Sequence, residues 1–187
     1  MFFWSGQSGG KQFFTGKGFE WMESYSSSYA VIHIVRDIRR KVIYMVANGS
    51  LQSEMAYEGE QDPEDYTTLF LNTVNYKPDS KNALVIGLGG GTIVKMLEDA
   101  GVNVLSVEID RKVVKAAREH FKFDGKVEIS DGRAYIRRTN EVFDLVFFDV
   151  YKGNSVYPYI FSVQAMEETK KIMKPDGICL LYTSDAA

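Results

Sequence analysis

Residues 85–92 read Val85-Ile86-Gly87-Leu88-Gly89-Gly90-Gly91-Thr92, an apolar run that breaks into a glycine turn. The strand expected over Ala83–Ile86 is buried, and a helix is expected from Thr92 to Asp99. Strand, glycine turn and helix N-terminus in that order let the backbone turn sharply, lie close to a ligand and aim its N–H groups at it. A nicotinamide or flavin fingerprint, G-x-G-x-x-G, needs a third glycine where this chain has Thr92. The G-x-G-x-G pattern therefore favours a nucleoside ligand with no pyrophosphate to cradle. The plainer alternative is a glycine-rich turn that holds nothing.

Downstream, apolar strands and amphipathic helices alternate. Strands are expected at Val104–Val107, Val127–Ile129, Leu145–Phe148 and Ile178–Tyr182, and helices at Arg111–Phe121, Gly132–Arg137 and Ser162–Met173. Pro175-Asp176-Gly177 is expected to turn the chain into the last strand. Alternation at this spacing predicts βαβ units and a parallel, Rossmann-like α/β sheet.

Upstream the rhythm differs. Tyr29–Val35 and Lys41–Val46 are β-branched and aromatic, with charged residues 36–40 between them. Asn48-Gly49 supplies a tight turn before Leu51-Gln52-Ser53, which predicts a small antiparallel sheet. Residues 5–18 read as a loose lead-in. Asp62-Pro63-Glu64-Asp65 opens a helix, with Asp62 placed to cap it and Tyr66, Leu69, Phe70 and Val74 at helical spacing. The expected division is 1–61 for the lead-in and small sheet and 62–187 for the cofactor-binding domain.

The formal charge of −3 offers no footprint for nucleic acid or an anionic membrane. Such a balance suits a neutral or cationic ligand. One cysteine, Cys179, rules out an internal disulfide and fits a reducing compartment. No apolar run approaches the length of a membrane span, and the start lacks the basic flank of a signal peptide, so a cytoplasmic protein is expected.

Three acids follow three strands. Glu108 lies at the end of the second strand, placed to accept both hydroxyls of a ribose; otherwise it is a strand-end or capping acid. Asp110 is placed to cap the helix at Arg111. Asp131, before Gly132, can accept from an adenine amino group while the glycine leaves room for the ring, or can cap the following helix, and the two roles are compatible. Asp149 ends the fourth strand after four apolar residues. There it either accepts a proton from an amine or serves as a turn residue capping Lys152-Gly153-Asn154. His33 and His120 form no metal set with the lone cysteine and read as structural, and the aromatic run Tyr157–Phe161 as core or lid.

From Tyr29 to Leu181 these residues, with Met173-Lys174-Pro175-Asp176-Gly177, resemble the spermidine synthase family of polyamine aminopropyltransferases and their methyltransferase-like relatives. The resemblance implies an adenosyl-sulfonium cofactor: S-adenosyl-L-methionine or its decarboxylated form. It implies cofactor contacts from Gln52, Gly87, Gly89, Gly91, Glu108, Asp131 and Gly132, an amine contact from Tyr66, and catalysis by Asp149. It also implies a homodimer paired through the N-terminal sheet. Three departures stand out. The family's glycine-loop aspartate, which grips the ammonium of decarboxylated cofactor, is Gly90 here, leaving room for ordinary S-adenosylmethionine. Its Tyr-His-Glu run reads Tyr66-Thr67-Thr68, and its paired catalytic aspartates reduce to Asp149.

The expectation is a methyltransferase acting on a small-molecule or protein acceptor, with aminopropyl transfer to a polyamine as the alternative and a non-catalytic binding module as a third reading. The family sheet has two more strands than this sequence supplies. The tail Leu180–Ala187 reads like translated adapter sequence, so a truncated frame is expected.

Overall fold

The computed structural model describes residues 18–58, 65–150 and 159–182, side chains at 65–67 excepted. Residues 151–158, with the expected Lys152-Gly153-Asn154 turn and the start of the Tyr157–Phe161 run, lie outside them, as do the Asp62 cap and the tail from 183.

The described residues form two sheets. The first is an antiparallel meander of β1 (Phe19–Ser26), β2 (Val31–Asp37), β3 (Val42–Ala47) and β4 (Ser50–Ala56). Strand β1 lies between the expected lead-in and the expected sheet and was not legible. Its apolar alternation is interrupted by a register shift between Trp21 and Glu23, and Tyr25 is its one buried residue. The other three strands match the expected sheet.

Helix α1 (Asp65–Tyr76) leads to the second sheet, built from β5 (Asn82–Ile86), β6 (Asn103–Glu108), β7 (Lys126–Ile129), β8 (Phe143–Phe148) and β9 (Met173–Leu181). The helices between them are α2 (Thr92–Asp99), α3 (Arg111–His120), α4 (Gly132–Arg138) and α5 (Val163–Lys171). All pairings in this sheet are parallel, in the order β7-β6-β5-β8-β9. The fold is thus the expected α/β Rossmann-like sheet with a small antiparallel unit before it. The chain steps outward from β5 to β7, then returns to the other side of β5 with β8. That reversal creates a crevice beyond the carboxyl ends of β5 and β8.

The central strands are apolar throughout because both faces are covered. Ala83 and Val85 of β5, with Leu145 and Phe147 of β8, pack against Phe70, Ile93, Leu97 and Val114 on one face. Leu84, Ile86, Val146 and Phe148 meet Tyr135, Ile136 and Ile160 on the other. A third cluster joins Tyr25, Ile32, Ile34, Ile43 and Met45 to Ala116 and Phe121, seating the antiparallel sheet on α3.

One boundary differs from expectation. Helix α5 begins after Ser162, whose hydroxyl accepts the Ala165 N–H, but it ends at Lys171. Met173 already pairs with Phe143, and the register then shifts so that Leu145 opposes Ile178. Pro175-Asp176-Gly177 therefore bulges within β9 rather than turning into it. The Lys77 ammonium fixes this bulge through Asp176, at 2.6 Å.

Candidate functional site

A cleft of about 640 Å³ opens over the crevice. Its floor is the ends of β5, β6 and β8. The β3–β4 hairpin and Tyr29-Ala30 supply the opposite wall. Gln52, Gly87, Gly89, Glu108, Asp131, Gly132 and Asp149 all line it. Gly91 does not: it is the N-cap of α2, and a Cβ there would lie 2.4 Å from the Phe123 ring. Tyr66 belongs to α1, and its side chain lies outside the described residues.

The glycine turn is shaped as much by protein as by any ligand. Gly87 has φ of 104°, and a Cβ on it would sit 2.0 Å from the Asp149 carbonyl oxygen. Only glycine lets β5 and β8 end side by side, tied by the Asp149 N–H donating to Ile86 O at 2.9 Å. At Gly90 the Cβ direction runs into Phe121 Cδ1 at 2.7 Å and Ser53 Cβ at 3.1 Å. The space into which a side chain at Gly90 would project is thus taken by the Phe121 ring, which is not among the residues lining the cleft. Gly132 is similar: a Cβ would meet Ile86 Cγ2 at 2.5 Å, so its missing side chain serves helix–strand packing before any ring.

Glu108 points into the cleft. It is buried, its Oε2 accepts the Leu88 N–H at 3.1 Å and its Oε1 the Asp110 N–H at 2.8 Å. Burial pushes its pKa up to about 7 against the lowering effect of those N–H groups. Each carboxylate oxygen has a second lone pair, so the acid retains capacity for a ligand diol.

Asp131 performs the cap that was expected of it, with Oδ1 accepting the Ala134 N–H at 2.8 Å. Its Oδ2 accepts the Tyr159 hydroxyl at 2.9 Å, a partner not foreseen from sequence. Tyr159 lines the cleft, and its carbonyl is held by Arg133, which also pairs with Glu168. Asp110 caps α3 through the Lys112 N–H, as expected, and also receives the Ser27 hydroxyl.

Gln52 reaches the cleft because it is a bulge. Met45 opposes Ser53 and Val46 opposes Leu51, which leaves Gln52 as the extra residue. Ser53 next to it is buried, and its Oγ accepts the Gly90 N–H at 2.7 Å. Sequence reasoning assigned Ser53 only to a strand. Its one signal was adjacency to Gln52.

The charge of the lining is one-sided. Glu108, Asp110, Asp131 and Asp149 face the cleft, and no lysine, arginine or histidine lies among the described lining residues. Away from it, Glu23, Glu119 and His120 bring ligand-type atoms within 4.8 Å of one another. The Tyr25 hydroxyl sits among them, 2.7 Å from Glu119 and 2.9 Å from His120 Nε2, and Lys115 Nζ is 3.6 Å from Glu119. This network fastens β1 to the end of α3, in keeping with a structural His120. His33 lies beside Ser24 and packs its ring, tilted by 53°, against Trp21.

Residues 68–186 match the family model for the spermine/spermidine synthase domain. The chain belongs to that family. Members of this family are transferases. The chain is 27% identical over 138 residues to a polyamine aminopropyltransferase of Vibrio vulnificus, which covers 66% of this chain and 46% of that protein. It is 31% identical over 112 residues to an N-terminal histidine N-methyltransferase of Emericella nidulans, covering 56% of this chain and 20% of that protein. The spermidine synthase of Thermotoga maritima superposes with a TM-score of 0.74 at 22% identity, over 88% of this chain and 57% of that one. The chain thus spans less than half the length of these curated relatives. Among the described residues no helix is long and apolar enough to cross a membrane.

Proposed function

We propose that this family member takes part in polyamine aminopropyl transfer, using decarboxylated S-adenosylmethionine and an amine acceptor. The observation that carries the reading is the cleft with four carboxylates and no basic side chain among its described lining residues. Such a lining favours a sulfonium that also carries an ammonium, and a cationic acceptor beside it. A ligand carboxylate about 6 Å from one such acid would meet roughly 3 kcal/mol of repulsion at an effective dielectric of about 20. That alone is about a hundredfold in affinity.

In this reading Glu108 accepts the ribose hydroxyls, and Asp131 with Tyr159 borders the adenine. Gln52 closes the opposite wall, and Tyr66 contacts the amine. When bound, the cofactor would supply an electrophilic methylene on a positive sulfur, with a neutral thioether as the leaving group. Asp149, at the end of β8, orients the acceptor nitrogen and takes its proton as the new carbon–nitrogen bond forms. A homodimer and a cytoplasmic location belong to the same proposal.

A second reading, methyl transfer from S-adenosylmethionine to a small-molecule or protein acceptor, is favoured by Gly90. No acid can stand at that position while Phe121 and Ser53 occupy the space. Mass analysis of products from the protein with putrescine and decarboxylated cofactor decides between them. Spermidine with 5′-methylthioadenosine is the expected result. No spermidine, with calorimetric binding of S-adenosylmethionine alone, would overturn aminopropyl transfer in favour of methyl transfer.

A further inference from the structure

The glycine turn is held from outside its own sheet. Gly90 is buried and its N–H donates to Ser53 Oγ on β4 of the antiparallel sheet, at 2.7 Å. The same hydroxyl donates to the Gln52 carbonyl, also at 2.7 Å. One side chain thus bonds a backbone donor in the parallel sheet's turn and a backbone acceptor in the bulge of the other sheet. A hydroxyl suits this post because it gives one hydrogen and accepts another. The fit is close: a Cβ on Gly89 would lie 2.6 Å from Ser53 Oγ.

We infer that Ser53 is a positioning residue for cofactor binding: it sets the height of the glycine turn against the Gln52 bulge, so that the two walls of the cleft move as one. The inference rests on the cofactor reading above and goes beyond it by giving the antiparallel sheet a direct hold on the glycine turn. Ser53 itself need not touch a ligand. Its effect passes through Gly89-Gly90 on one side and Gln52 on the other. Without the hydroxyl, the Gly90 N–H is left buried without an acceptor, and the turn relaxes toward water or another partner.

The test uses Ser53→Ala and Ser53→Thr in the protein, with 5′-methylthioadenosine as the probe. This neutral adenosyl thioether does not depend on which group is transferred. Calorimetry gives its affinity, and amide hydrogen exchange reports on Gly90 directly. Ser53→Ala is expected to weaken the probe about tenfold. It should speed Gly90 exchange at least as much, with exchange in β2 and β3 unchanged. Ser53→Thr, which keeps the oxygen, is expected to recover both. Unaltered probe affinity in a folded Ser53→Ala protein overturns the inference, whether or not exchange quickens. Equal loss of protection throughout β2 and β3 overturns it too, because the residue then serves stability alone. If the wild-type protein binds neither the probe nor either sulfonium cofactor, the functional reading fails first, and this inference with it.

Discussion

Glu108 and Leu88 are joined on the floor of the cleft, the Leu88 N–H donating to the Glu108 carboxylate at 3.1 Å. The acid that faces the cleft from the end of β6 is therefore also a strut for the turn that follows β5. Its second oxygen takes the Asp110 N–H, so it shapes the entry to α3 as well. A ligand diol meeting this carboxylate finds it already oriented, which lowers the ordering cost of binding.

That burial has a consequence for stability. Glu108 has its pKa raised from 4.5 to about 7, chiefly by desolvation. For an acid raised in this way, the folded state holds its proton more tightly than the unfolded chain. The stabilisation is fully present below about pH 4.5 and disappears as pH rises through 7, a change of roughly 3 kcal/mol. Urea unfolding of the ligand-free protein and of Glu108→Gln at pH 5 and pH 8 checks it. The variant is expected to gain on the wild type at the higher pH. A constant difference between them would refute the assignment.

Binding runs the opposite way. In the proposed binding mode ribose hydroxyls donate to the ionised Glu108 carboxylate, so a ligand bound in that way must expel the proton below pH 7. Affinity for 5′-methylthioadenosine should fall by up to tenfold for each pH unit below about 7. Calorimetry in two buffers of different ionisation enthalpy should register proton release over that range. Glu108→Gln should bind more weakly at pH 8 and lose the pH dependence.

A purely structural acid offers a contrast. Asp144 is almost fully buried, accepts the N–H groups of Lys81 and Asn82 at 3.0 Å each, and pairs with Lys174 at 2.7 Å. Burial alone would raise its pKa, but Lys174 and the two N–H groups outweigh it and hold the acid below its usual range. Its stabilisation is present above about pH 4 and is lost as pH falls further. Asp144→Ala should cost on the order of 3 kcal/mol at pH 7 by freeing the start of β5. Chemical denaturation measures this, and the gap to wild type should narrow in acid.

The parallel sheet was legible because its strands are buried on both faces and its punctuation is strong: glycines after β5, acids after β6 and β8. The carboxylates at 108, 131 and 149 could be placed for the same reason, since a strand's end fixes where its last residue stands. What lay hidden were contacts between segments far apart in the chain. Nothing local marks Ser53 as the acceptor for Gly90, or Tyr159 as the donor to Asp131. Strand β1 escaped because an edge strand with a register shift keeps no clean alternation. The packing of Phe121 and Phe123 over the glycine turn was equally invisible. Their spacing, two apart after α3, is ordinary, and their role comes only from where α3 ends.

Gly90 tests how far that packing decides specificity. The side-chain direction at Gly90 meets Phe121 Cδ1 at 2.7 Å, Phe121 Cγ at 3.1 Å and Ser53 Cβ at 3.1 Å. Gly90→Asp alone therefore overpacks the site and should destabilise the protein by about 1–3 kcal/mol, read as a fall in melting temperature. Because the carboxylate cannot settle there, preference between the two sulfonium cofactors should not move toward the decarboxylated form. Combining Gly90→Asp with Phe121→Ala removes the ring and opens space for the acid. The double variant loses the core contribution of Phe121, about 3–5 kcal/mol, so binding is best measured at low temperature. Its calorimetric preference for decarboxylated S-adenosylmethionine over S-adenosylmethionine should rise by roughly tenfold or more, as a nearby acid attracts the ammonium and repels the carboxylate. If Gly90→Asp alone folds as stably as wild type and gains that preference, the aromatic ring is not what bars an acid from the turn.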